Sequence, residues 1–192
     1  MCHSCHFAKL AGIIFKFRRK TRQSTLQLLY NSLAGSYLSY GITAWGSCDA
    51  TPLNKLQISQ NKILRYITSS SPDSNMSSTF KNLKILNLKK VHFYEITKFM
   101  RGIHYHTNPV VFESYFTSLH HDHPTSTRVR DNVIFAVPQP RTNLGKHSIK
   151  FDGIKAWAKV PQEIKDITNI GSFKLKLKEH IIANEIEWRT HY

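Results

Sequence analysis

A short N-terminal pattern, CHSCH, places two thiols and an imidazole where they could hold a prosthetic group or a metal ion. Cys2, Cys5 and His6 satisfy the C-x-x-C-H spacing of covalent haem attachment. They are also half of a tetrahedral zinc site, which the cluster from His120 to His123 would complete. A solvated tail and a His-rich loop account for both patterns more simply. We therefore predict no metal site and no cofactor, with a zinc-binding module as an alternative.

The stretch GKHSIK, from Gly145 to Lys150, has the residue types of a phosphate-binding loop. A Walker A loop built on Gly145 and Lys146 requires glycine at position 140 and Ser or Thr at position 147. Those positions hold Pro140 and His147. The spacing excludes a loop of this kind, and the neighbouring lysines either meet a nucleic-acid backbone or face water.

Catalytic machinery is scarce in the sequence. The six Asp and six Glu are scattered, and no two Asp are adjacent. Phosphoryl or nucleotidyl transfer with two metal ions requires clustered carboxylates to hold the ions. A strained serine turn of the G-x-S-x-G type is absent as well. We predict no catalytic residue, and a chain that is inactive on its own.

Electrostatic binding is the chemistry that the sequence favours. The segment KFRRKTR, Lys16 to Arg22, has five basic residues in seven, with Phe15 and Phe17 interleaved. Such residues contact phosphates and stack on bases, although Phe15 and Phe17 could instead lie in the core beside a solvated helix end. The predicted nucleic-acid-binding residues come from this segment and from a predicted helix over 53–67: Lys16, Arg18, Arg19, Lys20, Arg22, Lys55, Lys62 and Arg65.

The overall charge agrees with that interpretation. The chain has 27 Lys and Arg against 12 Asp and Glu, a net charge of +15. Residues 1–96 hold 13 basic and 3 acidic residues, and no acid precedes Asp49. A field of this sign attracts nucleic acid, an anionic membrane surface or an acidic protein. Nucleic acid is the commonest such partner.

The sequence also bears on location. Residues 23–48 carry no formal charge, but their Gln, Asn, Ser and Thr content is too polar for a bilayer span. We find no secretory signal pattern, and the three cysteines indicate a reducing compartment. We expect an intracellular protein with no membrane partner. A nuclear or cytoplasmic location is favoured, and a mitochondrial one stays open because the N-terminal segment contains Arg and no acid, as mitochondrial presequences do.

Helical periodicity dominates the chain. The apolar spacing predicts helices over 24–38, capped by Ser24 or Thr25, over 53–67, over 88–103, over 110–116, and from Ser172, which is the predicted cap of the last one. The first pattern weakens at Gly35 and at Gly41, so a break or bend is expected before Trp45 and Gly46. Alternation from Ser172 through Leu177 would also fit a strand, but the length of that segment favours a helix. Residues 149–151 alternate as a short strand does, and residues 133–137 alternate briefly as well. We therefore predict a mostly α fold with a small β element near the C-terminus (α+β).

The polar segment SSSPDSNMSST marks the predicted domain boundary. The prediction is a basic helical region over 1–68, a linker over 69–80 and a C-terminal helical region over 81–192. The last region includes a strand, turn and helix at 145–161, with the helix ending before Pro161.

The order of several motifs resembles the region that follows the catalytic palm in reverse transcriptases of LINE-type, jockey-like non-LTR retrotransposons. That region has a basic segment, a leucine-rich helix, a Tyr-Leu-x-Tyr-Gly element and a Trp-Gly pair. The corresponding residues here run from Ala8 to Gly46 and end on Tyr37 to Gly41 and on Trp45 and Gly46. LNKLQISQNKILRYI and LKILNLKKVHFYEITKFM continue the resemblance.

The C-terminal half is similar to the same family in order. The matching residues are His123, Thr127 and Arg128, then Pro140 to Thr142, Gly145 to Gly153, Trp157, Pro161, and Phe173 to Lys178. The chain departs from the family pattern at three positions. Phe151 replaces tyrosine, Ala158 replaces asparagine and Val160 replaces leucine.

The resemblance implies a helical, thumb-like bundle that grips an RNA/DNA duplex, followed by a small C-terminal domain. In this family the polymerase uses magnesium held by a palm with a Phe/Tyr-Ala-Asp-Asp motif, which this chain lacks. The palm and fingers of a parent enzyme are therefore expected partners. The alternative is a basic RNA-binding or organellar structural protein whose similarity to retrotransposons is incidental.

Overall fold

The computed structural model describes residues 3–116, 135–184, 186 and 188. These residues are mostly helical and form two compact units. The first unit comprises Met1–His92 and His180–Tyr192, and the second comprises Phe93–Glu179. The boundary between the units follows His92, after the segment 69–80 that the sequence predicts as a linker.

The first unit is built around two long helices. Its helices are α1 (His3–Phe17), α2 (Gln23–Leu29), α3 (Ser36–Ser39), α4 (Ile42–Trp45), α5 (Ala50–Thr68), α6 (Met76–Asn82), the beginning of α7 (Leu88–His104) and the end of α11 (Ile170–Ala183). Phe7, Leu10, Ala11 and Ile14 recur at intervals of three, one and three residues, which places them on one face of α1. That face packs on α5, where Leu56, Ile63, Leu64 and Ile67 are buried.

Between α2 and α3 the chain makes a π-helical segment, Tyr30–Gly35. The buried residues along these three segments follow one another at intervals of four: Leu26, Tyr30, Ala34 and Leu38. A step of four residues turns an ideal α-helix about 40° past a full turn, so the stripe would drift away from the core. The wider π turn reduces that drift, and all four side chains stay buried.

A buried amide joins three parts of the first unit. Gln60 on α5 is fully buried and donates from Nε2 to the Tyr30 hydroxyl at 2.8 Å and to the Leu86 carbonyl at 2.9 Å. Its Oε1 accepts from Gln57 Nε2 at 2.9 Å. Burial raises the pKa of Tyr30 to about 12, against a smaller lowering by the Gln60 hydrogen bond. The network fixes α5 against the π-helical segment and the approach to α7.

The second unit gathers aromatic side chains around a buried arginine. It contains the rest of α7, a 3₁₀ turn (Val110–Tyr115), α8 (Asn143–Lys146), α9 (Ile149–Ala158), α10 (Gln162–Lys165) and most of α11. The Arg101 guanidinium lies 4.6 Å from the Tyr105 ring centroid and 5.0 Å from that of Phe173. It donates to the carbonyls of Ile167 and Thr168. Rings and peptide dipoles, rather than a carboxylate of a described residue, stabilise this charge.

The predicted strand near the C-terminus is wrong. Residues 149–151 are the first residues of helix α9, whose first turn is closed by the Ser148 carbonyl accepting from Phe151 and Asp152 at 3.0 Å. Three residues of alternation are outweighed by the helical spacing of the buried side chains after them. Phe135 and Val137 belong to no strand, Val133 lies outside the described residues, and the part of the chain that the structure describes contains no strand.

Most predicted helices are confirmed, with corrected ends. Helices α5, α7 and α11 occupy the predicted segments, a 3₁₀ turn occupies 110–115, and α9 ends at Ala158 before Pro161 as expected. Gly41, at φ +63°, ends the helical run before α4. The predicted caps are wrong. Arg22 occupies the N-cap position of α2 and makes no side-chain capping hydrogen bond, and at α11 the Asn169 carboxamide oxygen accepts from the backbone N–H groups of Gly171 and Ser172.

The predicted linker is partly helical. Residues 69–75 form turns, but Met76–Asn82 is the helix α6, capped by Asn75, whose Oδ1 accepts from Ser77 N at 2.9 Å. Met76 and Phe80 pack on the core of the first unit, and Thr79 is buried. The polar composition of this segment therefore reflects a helix with one buried face.

Candidate nucleic-acid interface

The basic segment 16–22 lies at the C-terminal end of α1 and in the turn that leads to α2. The Phe17 carbonyl accepts from Lys20 N at 2.9 Å and from Thr21 Oγ1 at 3.0 Å, which closes the helix end. Positive side chains are favourable at this position because the helix dipole is negative there. All of the segment's basic side chains are exposed except Arg18, which is half-buried.

Arg18 is ordered by two aromatic rings. Its guanidinium carbon lies 4.1 Å from the Phe15 ring centroid and 5.5 Å from that of Tyr66 on α5. The two rings meet edge to face at 5.1 Å. Phe15 and Phe17 are each 46% exposed, so neither belongs to the core. The structure therefore offers a guanidinium stacked on an accessible aromatic surface.

The contact between Phe15 and Tyr66 sets the C-terminal ends of α1 and α5 side by side. Lys62 and Arg65 are in the last two turns of α5 and therefore lie at this same end of the first unit. We call the following set the basic end: Lys16, Arg18, Arg19, Lys20, Arg22, Lys62 and Arg65. The remaining predicted residue, Lys55, is not part of the basic end. It lies ten residues before Arg65 on α5, about 15 Å away along the helix.

The charges of the basic end have no carboxylate partners among the described residues. The ion pair recorded among the described residues joins Lys98 to Glu95, and it belongs to the second unit. The described acids of the first unit are Asp49, at the start of α5, and Asp73, in the turn after it. Neither is within ion-pair distance of a described cation. Uncompensated, mostly exposed charges of one sign are suited to a polyanion.

Arg65 differs from its neighbours because it is half-buried and its Nε is enclosed without a hydrogen-bond partner. It also occupies the last turn of α5, whose C-terminal carbonyls attract positive charge. Part of its role is therefore structural, and its replacement tests binding less cleanly than replacement of Arg19, Lys20 or Arg22.

The structure gives no support to a metal site or to a membrane span among the described residues. Among the described residues, no group of three or more His, Cys, Asp or Glu side chains is placed to hold a metal ion. Residues 120–123, together with Cys2 and the side chains of Cys5 and His6, lie outside what the structure describes. Every helix among the described residues is too short or too polar to span a lipid bilayer.

Sequence reasoning missed two features of the first unit. Tyr66 was not singled out, and its meeting with Phe15 joins positions 51 residues apart, for which the sequence carries no local signal. A cavity at the other end of α5 was missed as well; its side chains come from segments as distant as Ile42 and Trp188. The only local sign was the pair of amides Asn54 and Gln57, three residues apart on one helix.

Comparison with known proteins identifies no relative. No protein-family model matches the chain, and no curated protein or solved structure matches it. The resemblance to retrotransposon reverse transcriptases therefore stays a prediction from the order of motifs.

Proposed function

We propose that the chain binds nucleic acid non-specifically through the sugar-phosphate backbone, using the basic end of its first unit. The observation that carries this proposal is the set of seven Lys and Arg residues at the joined ends of α1 and α5, none of which has a carboxylate partner among the described residues. Backbone contact requires positive charge and no base-specific groups, which agrees with this composition. Lys55 extends the charge along α5.

We further propose that the chain is the C-terminal part of a LINE-type RNA-directed DNA polymerase, with the region from Ala8 to about Thr68 acting as a thumb on the template-primer duplex. The support is the order of motifs along the chain together with a helical, basic first unit. The absence of an Asp-Asp pair from the sequence leads us to expect no polymerase activity from this chain alone. Incorporation of nucleotides by the purified chain on a primed RNA template with magnesium would contradict that expectation.

The binding proposal is tested by the salt dependence of affinity. The triple variant Arg19→Ala, Lys20→Ala, Arg22→Ala removes three exposed charges of the basic end. Each lost phosphate contact lowers the slope of log affinity against log salt by about 0.9 on duplex DNA, so we expect a decrease of up to about 2.7. Fluorescence anisotropy of a labelled duplex from 50 to 200 mM salt measures this slope.

A matched control separates local contact from net charge. The variant Lys146→Ala, Lys176→Ala, Lys178→Ala removes the same three charges from exposed positions of the second unit. We expect its slope to stay close to that of the unmodified chain. Equal losses in the two triple variants would show that net charge alone drives binding, and the basic end would not be the interface.

The origin of the chain is tested separately. DNA upstream of the codon for Met1 that encodes an acidic palm motif in the same frame, intact or decayed, would support the retrotransposon origin. A promoter there, with no such motif, would favour the alternative of an independent basic RNA-binding protein.

A further inference from the structure

A cavity of about 340 Å³ lies within the first unit, where the first turns of α5 and α7 meet. Its volume is at the small end of the range for ligand pockets, about 300–1,000 Å³, and suits a ligand of one or two rings. The side chains that define its character are Leu53, Asn54, Asn87, Leu88, His92 and Trp188. The cavity thus combines apolar walls with carboxamides.

The inner wall is held in place by a hydrogen bond between two aromatic side chains. Trp188 Nε1 donates to His92 Nδ1 at 3.1 Å, and both residues are buried. Gly46 also lines the cavity, and a Cβ atom there would collide with the His92 ring. The imidazole can therefore approach this closely only because position 46 has no side chain. Such a wall is formed before any ligand arrives.

The carboxamides divide into one that is used by the fold and two that are open. Gln57 donates to Gln60 and Asn61 and accepts from Leu88 N at 2.9 Å, so its amide serves the structure. Asn87 accepts from Lys90 N through Oδ1, which leaves its Nδ2 without a partner among the described residues.

Asn54 is exposed, and its amide makes no hydrogen bond to a described residue. The cavity therefore offers two amide donors, one from Asn54 and one from Asn87, together with the Asn54 acceptor. Donors and acceptors of this kind can form hydrogen bonds with the nitrogen and oxygen atoms at the edge of a heteroaromatic ring.

We propose that this cavity binds a purine or pyrimidine base. Proteins that hold an unstacked base enclose its faces with aromatic or apolar side chains and hydrogen-bond its edge. Asn is well suited to that edge because its amide both donates and accepts.

The base can come from a free nucleoside or nucleotide, or from an unpaired position of a strand held by the basic end. The first source is independent of the function proposed above, whereas the second rests on it. About 18 Å of α5 separates Asn54 from Tyr66, so a strand that reached both sites would run along Lys55.

Calorimetric titration with adenosine, cytidine, their 5′-monophosphates and an eight-nucleotide single strand tests the proposal. Ala50→Leu fills the cavity from its lining, and Asn54→Ala removes the open amide from an exposed position that can lose it without unfolding. We expect at least tenfold weaker binding of the base-containing ligand in both variants. Thr51→Ala, at an exposed position of α5 outside the lining, is the control and should leave nucleoside affinity unchanged.

The outcomes separate this proposal from the previous one. Saturable nucleoside binding that both variants weaken supports a free ligand, and strand binding alone that both variants weaken supports a base within a strand. Strand binding that falls in the basic-end variant but not in Ala50→Leu or Asn54→Ala overturns the base site and leaves the phosphate interface intact. Absence of any binding sensitive to Asn54→Ala also overturns it.

Discussion

Replacing Gln60 with leucine tests whether the buried amide holds the first unit together. Leucine has a similar size but cannot donate, so the Tyr30 hydroxyl and the Leu86 carbonyl both lose their donor in a buried position. An unsatisfied buried polar group costs about 1–3 kcal/mol, which gives about 2–6 kcal/mol for the two. At about 2–4 °C per kcal/mol for a chain of this length, the melting midpoint should fall by about 4–24 °C.

A double-mutant cycle isolates the hydrogen bond between Gln60 and Tyr30. Tyr30→Phe alone removes one partner, and Gln60 keeps its bond to the Leu86 carbonyl. In the double variant the Tyr30 hydroxyl is absent, so leucine at position 60 leaves no unsatisfied hydroxyl. The loss of unfolding free energy in the double variant should therefore be smaller than the sum of the losses in the two single variants. Circular dichroism during thermal or urea unfolding measures the free energies, and hydrogen exchange of α5 amides reports the first unit directly.

Two results would refute the reasoning about Gln60. A melting midpoint of Gln60→Leu within about 1 °C of the unmodified chain would mean that the network contributes nothing. Single losses that add within about 0.3–0.5 kcal/mol would mean that Gln60 and Tyr30 do not interact. Asn61→Leu, which removes only a partly buried acceptor from the same helix, is the control and should change stability far less.

Two further predictions concern titrating groups of the second unit. Burial lowers the pKa of Lys165 below 10.5, so the free energy of unfolding should rise as the pH increases toward 10.5. Lys165→Met should be more stable than the unmodified chain at pH 7, and its free energy of unfolding, measured in urea, should not show that rise. The pKa of His104 lies below 6.5, chiefly because the side chain is buried and also because Lys165 is positively charged. Folding stability should therefore fall as the pH drops through 6.5. His104→Phe keeps a ring beside Trp157 and should reduce this loss of stability at acid pH; a melting midpoint that falls as steeply with pH in the variant would show that His104 is not responsible.

The helices that the sequence predicts well are those with a long apolar stripe. In α7 and α11 the stripe covers several turns, so local periodicity and tertiary packing agree. Helix α1 carries the same signal in Phe7, Leu10, Ala11 and Ile14, although it is not among the predicted helices. The failure at 149–151 has another cause: alternation over three residues is a weak signal, and the helical spacing of the buried residues from Asp152 to Trp157 outweighs it.

The candidate interface could be predicted in its charges but not in its arrangement. The basic residues at 16–22 are adjacent in sequence, so their clustering needed no fold. Their proximity to Lys62 and Arg65 depends on how α1 packs on α5, and the stacking of Arg18 depends on Tyr66. The cavity is the feature least predictable from local sequence, because its wall joins His92 to Trp188, 96 positions later.

The π-helical segment has a consequence for changes in chain length. Its buried residues are spaced four apart, so the three turns from Leu26 to Leu38 take 12 residues, about one more than a regular α-helix needs at 3.6 residues per turn. Loss of an exposed residue such as Asn31 gives intervals of four, three and four, which an α-helix accommodates directly. Gain of a residue gives an interval of five and turns Leu38 away from the core. This helix therefore tolerates deletions better than insertions, and related sequences that differ in length here should be shorter.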